Sequence, residues 1–481
     1  MDFHLIIIQT KMKVIMMNKR VRSSILGLFT ALCSVAQVPD TFLFNELAFL
    51  RQARDYAPTV LSSNLEVDIQ NQEFLAAKGA FEPKLAGKYN LKNFDNKTYY
   101  NKLNTGLKLK TPLGIKVDGG FTDNSGVFLN PEANVPVQGL AYAGIEVPLG
   151  AGLFTDEERT HIKQQRLETD AAALLNTLTV NDYLLEAGES YWDWYGSILL
   201  LQVSQEAVAL ASNRLNFVKR KNIIGESADI DTLEAFINYQ NRQTLNLSAI
   251  VKWEKNKNYV RNYIWLPTRN ADDLKPEVDM KYEAVFPDSL LGQQYIKSHP
   301  MIKLLETDSL VNRAGIALAR EYFKPQVDLA FKLQENASDF GQFDYSPAEN
   351  NYVGVNVYMP LLLRKQRAKA KQLQYKEQII SNKKSEVSVR LQNAQRTYYR
   401  NSLDLKRSVN VWSRATVNYR RMLQAEQTKF NLGESSLFVL NSRELKWIDA
   451  REKYIKSYIM YRKSILRYYH SLGILSAVLA Q

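Results

Sequence analysis

Cysteine is almost missing from this sequence: the 481 residues hold one, Cys33. It lies inside an N-terminal stretch built like an export signal. If that stretch is cleaved after Ala36, the mature chain has no disulfide, no thiolate metal site and no cysteine nucleophile. A lipid anchor on Cys33 would want a small residue before it, and Leu32 stands there. Histidine is also scarce. None of His4, His161, His299 and His470 has a partner at metal-binding spacing such as i+4. No glycine-rich phosphate loop follows a strand, and no nucleophile elbow is present. The reading is therefore of a protein without catalytic residues, metal or cofactor. There is no run of eighteen apolar residues, so no transmembrane helix is expected. Any membrane span must then be a β-barrel, whose alternating strands leave a weak hydropathy trace. A block of basic charge is missing too. The net charge of +12 is dispersed among acidic residues along helical segments, as on a solvated helix face, and does not imply nucleic acid.

The export signal itself is present. Lys11, Lys13, Lys19, Arg20 and Arg22 precede the apolar run Ile25 to Leu32, and Ser34-Val35-Ala36 supplies small residues for cleavage. Residues 1–36 are read as this signal peptide. The rest divides into a first unit (37–266), a linker rich in breaks (267–294, with Pro276 and Pro287), a second unit (295–475) and a short tail (476–481).

The two units share landmarks in one order. Ala57-Pro58 and Phe81-Glu82-Pro83-Lys84-Leu85 correspond to His299-Pro300 and Phe323-Lys324-Pro325-Gln326-Val327, at a constant offset of 242. Tyr142-Ala143-Gly144-Ile145-Glu146-Val147 corresponds to Tyr352-Val353-Gly354-Val355-Asn356-Val357 at offset 210. Gly225-Glu226-Ser227 corresponds to Gly433-Glu434-Ser435 at offset 208. The first unit therefore carries 32 extra residues between its strand segments. That insert, within Asn93 to Gln138, has a candidate hairpin around Leu103–Leu109 and Ile115–Thr122.

Each unit reads helix, strand, strand, very long helix, tight turn, helix. The strands rest on alternation. Val327, Leu329, Phe331 and Leu333 share one face; Gln326, Asp328, Lys332 and Gln334 share the other. Leu85, Tyr89 and Leu91 alternate with Lys84, Lys88, Asn90 and Lys92. Ile145 and Val147 alternate with Gly144 and Glu146, and Val353, Val355 and Val357 with Gly354 and Asn356. Such strands suit lipid outside and water inside, or an ordinary half-buried sheet. Aromatic residues at strand ends (Tyr99, Tyr100, Phe128, Phe340, Phe343, Tyr345) fit an interfacial girdle or loop packing.

The helices discriminate better. No proline occurs from Asp156 to Arg220 or from Arg364 to Phe430. Each stretch would form a helix of roughly 95–100 Å at 1.5 Å per residue, too long for a compact domain. The second carries a coiled-coil seam through Leu391, Tyr398, Leu405, Trp412, Tyr419 and Phe430. The helix after Gly433 carries two seams, one through Leu440, Trp447, Tyr458, Tyr468 and Leu472, another through Leu445, Ile448, Ile455, Ile459 and Leu466. Two seams predict neighbours on both sides. Tyr191, Trp192, Trp194 and Tyr195 fit helix packing or a tunnel lining. By length, the helix after Ala228 would stack on the one after Tyr295. The helix after Ser436 would stack on the one after Glu46.

With these features the sequence resembles the TolC family of outer-membrane efflux proteins. The resemblance runs from about Asn45 to Leu475. It rests on the paired strand–helix units, the turns Ile224-Gly225-Glu226-Ser227 and Leu432-Gly433-Glu434-Ser435, and the junctions Val147-Pro148-Leu149 and Met359-Pro360-Leu361. It implies an α+β membrane protein of the cell outer membrane, embedded in its lipid. It implies a homotrimer in which four strands per chain make a 12-stranded β-barrel that continues into a long periplasmic α-helical barrel. The implied role is the exit channel of a tripartite efflux pump or type I secretion system. The implied partners are a periplasmic adaptor (membrane fusion) protein and an inner-membrane RND or ABC pump. Carried over by residue, the adaptor-docking turns are Ile224, Gly225, Glu226 and Leu432, Gly433, Glu434. Some family members place gate aspartates shortly after the second turn; here Val439 and Ser442 occupy those spacings. Asp229, Asp231 and Glu234 near the first turn are the candidate tip or gate acids, though acids in a helix first turn are ordinary dipole partners. Two other readings stand beside this one: a soluble periplasmic coiled-coil scaffold or adaptor, and a porin that needs no pump.

Overall fold

A computed structural model describes residues 42–265, 274–276, 293–339 and 349–478. The signal segment with Cys33, most of the 267–294 linker, and Phe340, Phe343 and Tyr345 lie outside the described residues. Residues 42–44 and 274–276 belong to a unit separate from the rest. Its described part is a parallel pair, β1 (Phe42–Phe44) on β6 (Leu274–Pro276). The long helices and the large sheet belong to the other unit.

Two unbroken helices dominate it. Helix α3 (Glu157–Ile223) has 67 residues and α7 (Arg364–Asn431) has 68, about 100 Å each at the helical rise. Asp156 starts α3 by accepting a hydrogen bond from the Arg159 backbone N–H at 2.8 Å. The shorter helices are α1 (Glu46–Tyr56), α2 (Pro58–Lys78), α4 (Asp229–Val260), α5 (Gln293–Ser298), α6 (Pro300–Glu321), α8 (Leu437–Ser471) and α9 (Leu475–Val478). Pro58 begins α2 and Pro300 begins α6, at the first helical position, where a missing N–H costs nothing. No described helix is long and apolar enough to cross a membrane.

The helices form four columns side by side. Helix α4 covers the lower part of α3 (the part toward the turns), and α2 covers the upper part. Gln52 of α1 bonds the backbone of Tyr263 (2.6 Å) and Trp265 (2.8 Å), so α1 and α2 continue the line of α4. The C-terminal end of α8 meets the start of α6. Tyr295 packs on Tyr468 and Leu472, and a Cβ on Gly473 would lie 2.6 Å from Pro300. Both α8 and α6 contact α3 on one side and α7 on the other. The order is (α4 and α2), α3, (α8 and α6), α7. This corrects the stacking expected from lengths, which joined α4 to α6 and α8 to α1 and α2. The lengths fit either pairing; only the interlocking residues at each joint select one.

Both seams of α8 are used. Ile459 and Leu466 pack on Gly196 and Gly188 of α3, where added Cβ atoms would lie 2.9 and 2.6 Å from them. Tyr468 stacks on Tyr399 of α7 at 5.7 Å. Leu445 departs from the seam and is exposed. Tyr191, Trp192, Trp194 and Tyr195 are all buried, which settles their role as packing. Trp192 donates to Glu46 Oε1 at 2.7 Å and carries the Arg462 guanidinium over its ring at 4.7 Å. Arg462 also pairs with Glu46. Through Glu46 the start of α1 is tied to Trp192 of α3 and Arg462 of α8.

The strands are β2 (Lys84–Phe94), β3 (Lys97–Lys110), β4 (Lys116–Ser125), β5 (Leu140–Pro148), β7 (Gln326–Asn336) and β8 (Asn351–Tyr358). They form one antiparallel sheet in the order β2-β3-β4-β5-β7-β8. The sheet thus has six strands, not four. The 32-residue insert supplies β3 and β4 and enters the sheet between β2 and β5, because its own alternation matches the faces of its neighbours. The other four strands follow the order of the columns they join: β2 leaves α2, β5 enters α3, β7 leaves α6 and β8 enters α7.

Candidate functional site

Both lower tips are built the same way from sequence. Helix α3 ends in Lys221-Asn222-Ile223-Ile224-Gly225-Glu226. Gly225 N–H donates to Asn222 C=O (3.0 Å) and Glu226 N–H to Lys221 C=O (2.8 Å). Helix α7 ends alike, with Gly433 N–H on Phe430 C=O (3.1 Å) and Glu434 N–H on Lys429 C=O (2.9 Å). This paired bonding is the Schellman closure, which wants a left-handed residue. Gly225 and Gly433 supply it, with φ of +79° and +80°. An added Cβ would meet nothing within 4 Å at either glycine. Glycine is therefore required by backbone conformation alone, and the space around it is open.

Six of the sequence-selected residues are displayed here together. Ile224, Gly225, Glu226, Leu432, Gly433 and Glu434 are all exposed. Glu226 faces Lys221 at 3.6 Å, an exposed pair of little energetic worth. Apolar Ile224 and Leu432 project beside the two carboxylates, with Ile230 and Phe438 exposed just beyond each turn.

The three candidate acids have separate structural partners. Asp231 accepts from Ser227 Oγ (2.9 Å) and from the Ala228 backbone N–H (3.3 Å), so it caps α4. Asp229 accepts from Asn222 Nδ2 at 2.9 Å, tying α4 to α3. Glu234 accepts from Asn441 Nδ2 of α8 at 3.1 Å. They lie along one helix start and do not form a ring within the chain. At the second tip Ser436 caps α8 by accepting from Val439 N–H at 3.4 Å. Glu426 accepts from Ser435 Oγ (2.5 Å) and Arg443 Nε (3.4 Å), and the Ser435 bond pulls its carboxyl below the ordinary value.

Sequence reading missed what stands above the tips. Glu444 of α8 is fully buried, with Arg214 of α3 at 2.5 Å and Arg242 of α4 at 3.6 Å. Asn441 extends the cluster, accepting from Arg214 (2.7 Å) and Asn238 (2.9 Å) while donating to Glu234. Burial lowers the Arg242 pKa, partly opposed by Glu444. Three columns are thus locked by charge directly above the turns. Ion pairs so far apart in sequence have no local signature.

The sheet presents two chemically distinct faces in register. Leu85, Tyr89, Leu103, Leu107, Val117, Phe121, Ile145, Leu329, Phe331, Val353, Val355 and Val357 share one face. Leu85 is 82% exposed and Val357 68%. The other face bears lysines and acids, with Lys116–Glu146 at 2.6 Å and Lys332–Asp118 at 2.5 Å. Phe94, Tyr99 and Phe128 pack on one another at the end far from the helices.

No family model matches the sequence, and no curated protein matches it at significant similarity. Its architecture does match solved structures. The CmeC outer membrane channel of Campylobacter jejuni is similar at TM-score 0.68 and 11% identity, over 89% of this chain and 86% of that one. The outer membrane protein VceC of Vibrio cholerae is similar at 0.63 and 11%, over 89% and 96%. The open-state MtrE outer membrane channel of Neisseria gonorrhoeae is similar at 0.60 and 11%, over 92% and 93%. The chain has the TolC-type fold of these outer-membrane channels.

Proposed function

We propose that a chain with this fold works as the outer-membrane exit channel of a tripartite efflux pump or type I secretion system. Three copies close a ring, with sheets in the membrane and helices in the periplasm. The carrying observation is the sheet. It has a continuous exposed apolar face, two open edges, and a strand order that follows the column order. Strand β2 at one edge and β8 at the other would pair antiparallel between copies. The columns repeat this logic, for the outer helices α4, α2 and α7 expose Val251, Leu65 and Val411, whereas α3 and α8 between them are well buried. Three copies would give eighteen strands in place of twelve. The circumferences support that number. Twelve columns at about 9–10 Å spacing need roughly 115 Å. Eighteen strands 4.8 Å apart and tilted about 40° need about the same.

The tips, in this reading, dock a periplasmic adaptor, which links the channel to an RND or ABC pump. Ile224, Glu226, Leu432 and Glu434 form the contact. The acids Asp229, Asp231 and Glu234 line the tip, with their first duty to the turns. The soluble scaffold reading fits less well, since it leaves the apolar face of the six-stranded sheet with no covering. Light scattering of the detergent-extracted protein tests the assembly. Three copies are expected in material recovered from the outer membrane. A monomer, or a species soluble without detergent, overturns the proposal.

A further inference from the structure

The polar face of the sheet is not evenly charged. On β2 it bears Lys84, Lys88 and Lys92, and on β3 Lys102 and Lys108. No carboxylate lies within ion-pair distance of these five among the described residues. The face holds three acids, and two are engaged: Glu146 by Lys116 and Asp118 by Lys332. The third, Asp328, sits at the base of β7 beside Gln326. Lys110, at the same base, is held by Asp156 and Glu158 at the start of α3. Across β5, β7 and β8 the same face carries Tyr142, Gly144, Gln334, Gly354 and Asn356, which are uncharged.

The excess is therefore confined to one stripe, and it is held at a cost. Lys84 stands directly opposite Lys108 in the ladder; on its other flank Lys108 faces Asp118, the carboxylate that Lys332 engages, whereas Lys84 on the edge strand has no acid opposite it. Like charges at facing positions destabilise a strand pair. A sheet whose polar face served only solubility would alternate signs there, as β4, β5 and β7 do. Two of the five lysines come from β3, which the insert adds to the sheet.

We propose that this stripe lines the barrel lumen and makes it favour anions, so that solutes of net negative charge pass more readily than cations. The inference rests on the channel reading, which turns the apolar face to lipid and this face to water. Three copies place three cationic stripes around one aqueous bore. Charges lining a low-dielectric wall focus the field and raise the local concentration of counter-ions. Rings of lysine select for anions in pores by this means.

Reversal potential across a planar bilayer separating unequal KCl solutions reads the preference. The wild-type protein is expected to pass chloride over potassium. Lys88→Glu with Lys102→Glu should move the ratio below unity. Lys88→Gln with Lys102→Gln, a gentler pair, should move it part way. A cation-preferring wild type overturns the inference, as does a ratio that neither pair shifts; in both cases the pore and the channel reading survive. Inserted protein that conducts nothing overturns the channel reading, and the inference falls with it.

Discussion

The sheet and the columns spend the same kinds of residue in opposite ways. In the columns Leu440 and Tyr468 are wholly buried and Trp192 is 1% exposed. In the sheet Leu85, Val355 and Val357 stand open in one chain. The inner columns find their apolar partners inside the chain, since α8 has α3 and α7 on its flanks. The sheet finds none on either face. Periodicity specifies which residues share a face, but it does not specify what covers that face. A sheet that leaves such a face open needs a second layer to cover it, and in the proposed channel lipid takes that place.

The contrast can be broken at its most buried point. Glu444→Ala would leave Arg214 and Arg242 facing each other without a counter-charge, at about 3–5 kcal/mol. A large drop in the thermal midpoint of the detergent-extracted protein is expected, and an unchanged midpoint would mean the cluster is not closed in the assembly. Next in size is the sheet. Leu329→Arg or Val355→Arg should cost about 2–4 kcal/mol near the midplane and deplete the outer-membrane fraction. The same arginine at Gln334 or Asn356 should be mild. Equal tolerance at all four positions would erase the difference between the faces.

A third effect belongs to the joint between columns. His299 Nδ1 accepts from Met301 N–H at 3.2 Å, which needs a neutral ring. Burial, and then nearby His470, pull its pKa down from 6.5 to about 4. The folded state thus binds fewer protons than the unfolded one between these values. Stability is full above about pH 6.5, falls as pH drops toward 4, and levels off below, losing about 3 kcal/mol in the limit. Denaturant titrations should show this slope flattened in His299→Asn, a residue that can still cap.

The smallest effect is predicted at the tips. Glu226→Lys with Glu434→Lys should change stability by no more than about 0.5 kcal/mol, because neither carboxylate has a core to disturb. Abundance and assembly should be normal while export falls. Cysteines at these two positions should crosslink to the adaptor, and a pair that stays uncrosslinked during normal export would reduce the turns to caps.

Much of this architecture is legible in the sequence for a simple reason. A helix of 67 residues announces itself by what it excludes, and proline-free stretches located α3 and α7 almost to the residue. Left-handed turns need glycine, so Gly225 and Gly433 mark both tips. Alternation located β2, β5, β7 and β8, while the insert gave β3 and β4 only as a candidate hairpin. The column pairing was not legible, because length is shared by both arrangements whereas Gln52 on Tyr263 and Tyr295 on Leu472 are contacts between distant segments. The Arg214–Glu444–Arg242 cluster was hidden likewise: each residue alone looks like another charge on a helix.

The two joints, where α4 gives way to α1 and where α8 gives way to α6, share one level along α3. Asn181 of α3 donates to Gly473 C=O beside one joint at 3.0 Å, and Tyr183 accepts from Trp265 Nε1 beside the other at 2.8 Å. Neither long helix is interrupted there. The assembly is like a fence in which spliced posts alternate with whole timbers, and each splice is clamped to a timber. A splice alone would bend; clamped, it yields mainly by sliding along its neighbour. Slack in the columns is thereby turned from flexure into shear, and the length of the helical section stays fixed by its unspliced members.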